Sequence, residues 1–220
     1  MSTLAPEARM QVPSHEKSFT LFQAIAVILI FAVVFIGAGY FVGKNFFWKS
    51  IQDSRIEQQF EFYKAKVDAQ PKVPENRVNL GYTYYLKGNN KEALQQFKIA
   101  VDIDPKYADA HYNLGLVYKD QKQLDEALEA FSKAAKLAPR DYKYFMQMGV
   151  IYNLQGNYKS AITALNRANQ ENPGSADVIY QIGVSAEKTG DKNGAKELYK
   201  QALNFDPKYQ DAKDALARLK

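Results

Sequence analysis

Two histidines, His15 and His111, are the side chains in this chain best suited to metal binding or proton transfer. An imidazole becomes a metal ligand or a general base when a carboxylate or second imidazole stands at the right spacing. Neither histidine has such a neighbour: His15 lies in a polar N-terminal stretch and His111 at a packing position. There is no cysteine, which removes disulfides, iron–sulfur clusters, thiolate zinc sites and cysteine nucleophiles together. Carboxylate pairs such as Asp125–Glu126 fall at turn or helix starts, where negative charge offsets the helix dipole. No glycine-rich phosphate loop follows a strand, and no Ser/His/Asp set assembles. These residues imply neither an enzyme nor a metal, cofactor or small-molecule substrate.

Charge points away from nucleic acid as well. The net charge of +5 is mildly basic, but acids and bases alternate along the chain without a block long enough to form an electrostatic tail. Such alternation is that of a solvated Lys/Glu/Asp helix surface. Recognition of another kind must therefore come from the elements that the rest of the sequence builds.

The first of these is apolar. No charged residue occurs between Lys17 and Lys44, and positions 19–43 are almost wholly apolar. A helix crossing a bilayer needs about 20 apolar residues at about 1.5 Å each, so this run predicts a single transmembrane helix embedded in lipid, after a polar tail over 1–18. Phe19 and Phe22 flank one end; Tyr40, Phe41, Phe46, Phe47 and Trp48 flank the other, where aromatic rings favour the headgroup region. A cleaved signal would have a core of roughly 7–15 residues and a small-residue cleavage site; this core is longer, and Gly37 and Gly39 before Tyr40 make a poor one. Gly39 and Gly43 form one G-x-x-x-G pair, incidental at the end of the span. Flanking charge is nearly balanced: Arg9 and Lys17 on one side, Lys44, Lys49 and Arg55 on the other. The expected location is the plasma or inner membrane, with a short cytoplasmic tail and an exported C-terminal domain; a cytoplasmic domain is the alternative orientation.

The second element repeats. Gly81, Gly115, Gly149 and Gly183 stand 34 residues apart, as do Pro105, Pro139, Pro173 and Pro207, with Pro71 in phase. Ala93, Ala127, Ala161 and Ala195 keep the step, and so do Ala100, Ala134, Ala168 and Ala202. Large residues recur at Phe97, Phe131, Leu165 and Tyr199, and tyrosines at Tyr84, Tyr118 and Tyr152 with Ala186 in fourth place. Self-similarity at this period is the signature of stacked helical repeats. Each unit reads as two antiparallel helices, with Gly88, Gly156 and Gly190 at the turn in three of the four and proline at the unit boundary. Before the repeats, Trp48, Ile51, Ile56, Phe60, Tyr63 and Val67 recur at spacings of three to five, the pattern of an amphipathic helix.

These residues resemble the tetratricopeptide repeat, W-x2-L-G-x2-Y followed by Ala, Phe, Ala and Pro. The second copy carries it most fully, as ADAHYNLGLVYKDQKQLDEALEAFSKAAKLAPR. The first aromatic position departs: Arg77, His111, Phe145 and Ile179 stand where Trp is usual. The resemblance implies an all-α fold: an N-terminal transmembrane helix, an amphipathic N-capping helix over 44–73, four repeats over 74–209 (74–107, 108–141, 142–175 and 176–209) winding into a right-handed superhelix, and a C-terminal capping helix over 210–220. Lys213, Leu216 and Ala217 of that cap stand in the phase of a further first helix.

In this family the concave surface is lined by the first helix of each unit. The register then implies a ladder of amides, Asn79, Asn113, Gln147 and Gln181, which can both donate to and accept from the main chain of a bound segment. Val78, Tyr82, Tyr85, Tyr112, Leu116, Met146, Val150, Tyr180 and Val184 surround it. The resemblance thus implies a groove for an extended or helical segment of a partner protein, and a membrane-anchored interaction scaffold. An accessory assembly subunit of a membrane enzyme, envelope or secretion complex is the alternative. Relatives that bind chaperone tails use two Lys, two Asn and an Arg; here only Asn113 and Lys143 match, with Val78, Tyr82 and Gln147 in the other three places, so chaperone-tail binding is not expected.

Overall fold

The large residue opposite each repeated glycine sets the distance between helices, and the architecture follows from that spacing. A computed structural model describes residues 48–219 and Leu29. Apart from Leu29, the predicted tail and span over 1–43 lie outside these residues; among the described residues no helix is long and apolar enough to cross a membrane. Over residues 48–219 ten helices are described: α1 (Trp48–Ala69), α2 (Pro74–Leu86), α3 (Asn90–Ile103), α4 (Ala108–Asp120), α5 (Leu124–Leu137), α6 (Tyr142–Leu154), α7 (Tyr158–Glu171), α8 (Ala176–Lys188), α9 (Lys192–Phe205) and α10 (Gln210–Arg218). From Arg55 onward they form one compact unit.

Helices α2 to α9 make four pairs. The first helix of each has 13 residues and the second 14, so one repeat is one supersecondary unit of constant length. Each helix packs most extensively on its partner in the pair, and each second helix then packs on the first helix of the next unit. The pairs meet where glycine faces a large side chain. A Cβ at Gly81 would lie 2.6 Å from the ring of Phe97, at Gly115 2.6 Å from Phe131, and at Gly183 2.7 Å from Tyr199; Leu165 blocks Gly149 in the same way. Phe97, Phe131, Leu165 and Tyr199 are fully buried, as are the alanines of both 34-residue series. Small residues thus bring the helix axes together, and one large residue per pair fills the space.

The turns within the pairs are as regular. The N–H groups of Asn89, Gln123, Asn157 and Asp191 donate to the carbonyls of Tyr84, Tyr118, Tyr152 and Ala186 at 2.9–3.0 Å. This six-to-one bond closes a helix whose next residue is left-handed. Gly88, Gly156 and Gly190 take that conformation at φ 78°, 75° and 94°. In the second unit Lys122 takes it at φ 61°, a non-glycine residue held there by the bonds on either side. Asn157 and Asp191 then cap the following helices by accepting from the N–H of Ser160 and of Gly194.

Two departures at the usual Trp position are compensated locally. His111 Nε2 donates to the carbonyl of Pro105 at 2.9 Å, and Arg77 Nε donates to that of Pro71 at 3.2 Å. Each polar side chain turns back six residues to the boundary loop, whereas Ile179 simply fills the space and is buried.

The ends differ from the middle. On α1, Val67 is buried and Ile56, Phe60 and Tyr63 are half-buried along one stripe, while Phe62 is 54% exposed. Phe60 meets Tyr84 edge-to-face at 5.0 Å, and Lys87 lies over Phe60 while pairing with Glu57 at 2.7 Å. On α10, Ala212 and Ala215 are buried against the fourth unit. Leu216 is half-buried, but Lys213 and Ala217 are exposed. Ala217, at the position equivalent to the repeated glycine, is met by no second helix among the described residues.

Two stability measurements test this reading. Gly115→Ala gains helix propensity of about 1 kcal/mol, but its methyl group overlaps Phe131 at a cost of about 1–3 kcal/mol; a net loss of about 1–2 kcal/mol in urea titration is expected. Lys122→Gly relieves a left-handed residue worth about 1–2 kcal/mol and costs about 0.4–1 kcal/mol of added unfolded-state entropy. A small net stabilisation is expected, and a destabilised variant would show that Lys122 contributes contacts beyond its backbone.

Candidate partner-binding groove

Helices α2, α4 and α6 present their exposed faces to a common groove of about 420 Å³. Val78, Asn79 and Tyr82 of α2 line it, with Tyr112, Asn113 and Leu116 of α4. These six were expected from the repeat register. Glu75, Tyr107, Asp109, Lys143 and Tyr144 line it too and were not. By register Tyr144 is equivalent to the buried Ala110 and Val178, a core position. Its ring is indeed buried, but tyrosine is long enough to carry its hydroxyl through to Asp109 Oδ1, at 3.3 Å.

Aromatic side chains form the groove wall. Tyr82 is 43% exposed and stands with its ring 6.1 Å from that of Tyr85. Tyr112 packs between Phe131 and Tyr144, at 5.7 and 5.4 Å, so it seals two units as well as facing the groove. Burial, and then the carboxylates of Asp109 and Asp141, push the Tyr144 hydroxyl well above the ordinary phenol range. It therefore stays a neutral hydrogen-bond donor at any physiological pH.

The amide ladder is not uniform. Asn79 is half-buried in the groove. Asn113 is more buried, and its Nδ2 donates to the carbonyl of Asp109 at 2.7 Å, one turn back. That bond holds the amide in one orientation. Gln147 Oε1 accepts from Lys119 Nζ at 2.9 Å, and the Gln181 backbone carbonyl accepts from Asn153 and Ser185. Neither glutamine lines this groove.

The remaining predicted residues also lie away from it. Met146 and Val150 are half-buried on α6. Tyr180 stacks near Tyr199 and Tyr209, at 5.4 and 5.2 Å, and Val184 packs in the same C-terminal cluster. The capping helix follows Tyr209 directly, so at this end tyrosine serves packing. Tyr85 donates to Asp120 of the next unit.

Tyr85 belongs to a series that pattern reading missed. Tyr85, Lys119, Asn153 and Glu187 stand 34 residues apart, and each reaches into the following unit or the cap: to Asp120, Gln147, Ser185 and Arg218. Burial pulls the Lys119 ammonium below its usual range, with Asp120 opposing. The hydrogen-bonded Arg218 guanidinium holds Glu187 below the ordinary carboxylate range. The four side chains differ in chemistry but perform one structural task, which is why no residue-type repeat betrays them.

A second concavity, of about 560 Å³, lies on α6 and α7 between Phe145, Met148, Tyr152, Lys159, Thr163 and Arg167. Arg167 sits 5.7 Å from the Phe145 ring centre and pairs with Glu171. Among the described residues no group of three His, Asp or Glu converges where a metal ion could be held.

Comparison with known proteins agrees with this architecture. One family model described as TPR repeat matches residues 81–122, and two described as Tetratricopeptide repeat match 108–141 and 153–219. No curated protein matches by sequence. Among solved structures, MamA is 25% identical with a TM-score of 0.62, over 74% of this chain and 95% of its own. PilF of Pseudomonas aeruginosa is 25% identical with a TM-score of 0.63, over 66% and 67%. A thermophilic TPR protein of Thermus thermophilus is 21% identical with a TM-score of 0.64, over 78% and 93%. Helix pairs of constant length, the glycine contacts and these three matched segments converge: the chain belongs to the tetratricopeptide-repeat family.

Proposed function

We propose that this protein is a membrane-anchored interaction scaffold that performs no chemistry itself and holds a segment of a partner protein in the groove of its first three units. The observation that carries the reading is an aromatic wall, exposed Tyr82 and half-buried Tyr112, beside two amides, Asn79 and the hydrogen-bonded Asn113. Tyrosine offers large, stiff contact area plus a hydroxyl, which suits protein recognition. The side-chain amides offer donors and acceptors to the main chain of a peptide once it leaves water. Gln147, Gln181, Met146 and Val150 extend the partner surface along α6 and α8 in this proposal, while Tyr180 and Val184 are taken up by packing beside the capping helix. The anchor rests on the uncharged run between Lys17 and Lys44, and the repeat domain is proposed to lie outside the cytoplasm.

Two measurements bear on it. A photo-crosslinking amino acid placed at Tyr82 in living cells should capture a discrete partner, while the same group at Gln95 on the outer face of α3 should not. Equal capture at both, or none at Tyr82, removes the groove as the binding surface. Protease added to spheroplasts should digest the repeat domain; protection until the membrane is broken would reverse the orientation and place the partners in the cytoplasm.

A further inference from the structure

We infer that the groove is selective for a basic segment, taking a Lys or Arg side chain with its cationic head beside Glu75 and Asp109 and its stem against Tyr82 and Tyr112. The inference rests on the reading of the groove as a protein-binding surface and names the partner chemistry that surface fits. Glu75 and Asp109 are both exposed in the groove, one in the first turn of α2 and one in the first turn of α4. Among the described residues neither has an ion-pair partner. Among the described residues the Asp109 carboxylate receives the Tyr144 hydroxyl, which leaves its charge in place.

Both carboxylates act on one point. The Tyr107 hydroxyl, at the groove edge, is raised by burial and then by Asp109 and Glu75. Among the described residues Lys143 is the one basic side chain lining the groove, and its ammonium is engaged by Asp141 at 3.5 Å. Arg77, on the same helix as Glu75, is turned to the Pro71 carbonyl and to Gln96. The groove is therefore locally acidic in a chain whose net charge is +5.

Carboxylates in a first helical turn have a structural reason, the helix dipole. Here they also stand beside tyrosine faces, and the two together suit a cation. A ring attracts Lys or Arg through its quadrupole, and the apolar stem of either side chain packs on it. An acidic segment would meet the same carboxylates with the same sign, and Lys143 in the lining is already engaged by Asp141, so charge complementarity disfavours it.

The experiment is selection of a phage-displayed library of random twelve-residue peptides on the full-length protein in detergent micelles. Three forms are compared: the unaltered chain, the Glu75→Gln/Asp109→Asn double variant, and Tyr82→Ala, each checked for native helicity by circular dichroism. Peptides enriched in Lys or Arg on the unaltered chain are expected. Their synthetic forms should bind the double variant about tenfold more weakly and lose the salt dependence seen with the unaltered protein. Selected peptides that are acidic or purely apolar, or basic peptides that bind the double variant equally well, overturn the inference. In that case sensitivity to Tyr82→Ala leaves the groove standing as a binding surface. Selection that yields nothing, or only peptides indifferent to Tyr82→Ala, overturns the groove reading itself and this inference with it.

Discussion

The contact between a glycine on one helix and a large residue on its partner is the constraint on which the structure depends. At Gly81, Gly115, Gly149 and Gly183 no Cβ fits, because Phe97, Phe131, Leu165 or Tyr199 already occupies the place. That contact sets how closely two helices approach, and the constant lengths of 13 and 14 residues carry the same geometry into each unit. A single pair buries too little surface to stand alone, so stability is gained by stacking each unit on its neighbour. The partner residue itself is tolerant: Phe, Leu and Tyr all fill the cavity, provided the opposite position stays small.

Tyrosine at the fourth contact adds a polar requirement. The Tyr199 ring is fully buried, yet its hydroxyl donates to Glu187 at 2.7 Å, and Glu187 also receives Arg218 of the capping helix. A buried phenol left without a partner would cost about 1–3 kcal/mol. The last unit thus ties its core packing to its cap through one carboxylate. At the other end the first unit meets α1 through a narrow stripe, with the Phe60–Tyr84 contact and the Glu57–Lys87 pair in place of a broad apolar face. Terminal repeats need such polar covers because one side of each has no neighbour.

Functional character arises where units depart from the repeat. The column Tyr85, Lys119, Asn153 and Glu187 links unit to unit with four different chemistries. Tyr112 and Tyr180 share a register, but Tyr112 faces an open groove and Tyr180 lies under the capping helix. Equivalent positions therefore do not imply equivalent availability. The local sign of charge also departs from the whole: a mildly basic chain places two carboxylates, without an ion-pair partner among the described residues, in its aromatic groove.

The all-α class, the four units and the inter-helix contacts were legible in the residues. Each depends on a short-range rule, namely small beside large, glycine after a helix and proline between units, repeated often enough at 34 residues to exceed coincidence. Half of the groove was legible on the same basis, since Val78, Asn79, Tyr82, Tyr112, Asn113 and Leu116 follow from register once the first helices are known to line it. The other half required the tertiary structure. Tyr144 reaches Asp109 across 35 positions, Lys119 reaches Gln147 across 28, and Lys143 turns to Asp141 and not to the groove carboxylates. Side-chain length and the offset between stacked units decide such contacts. Neither quantity has a periodic trace, so sequence by itself determined which helices pair, and only their packing decided which side chains are free to meet a partner.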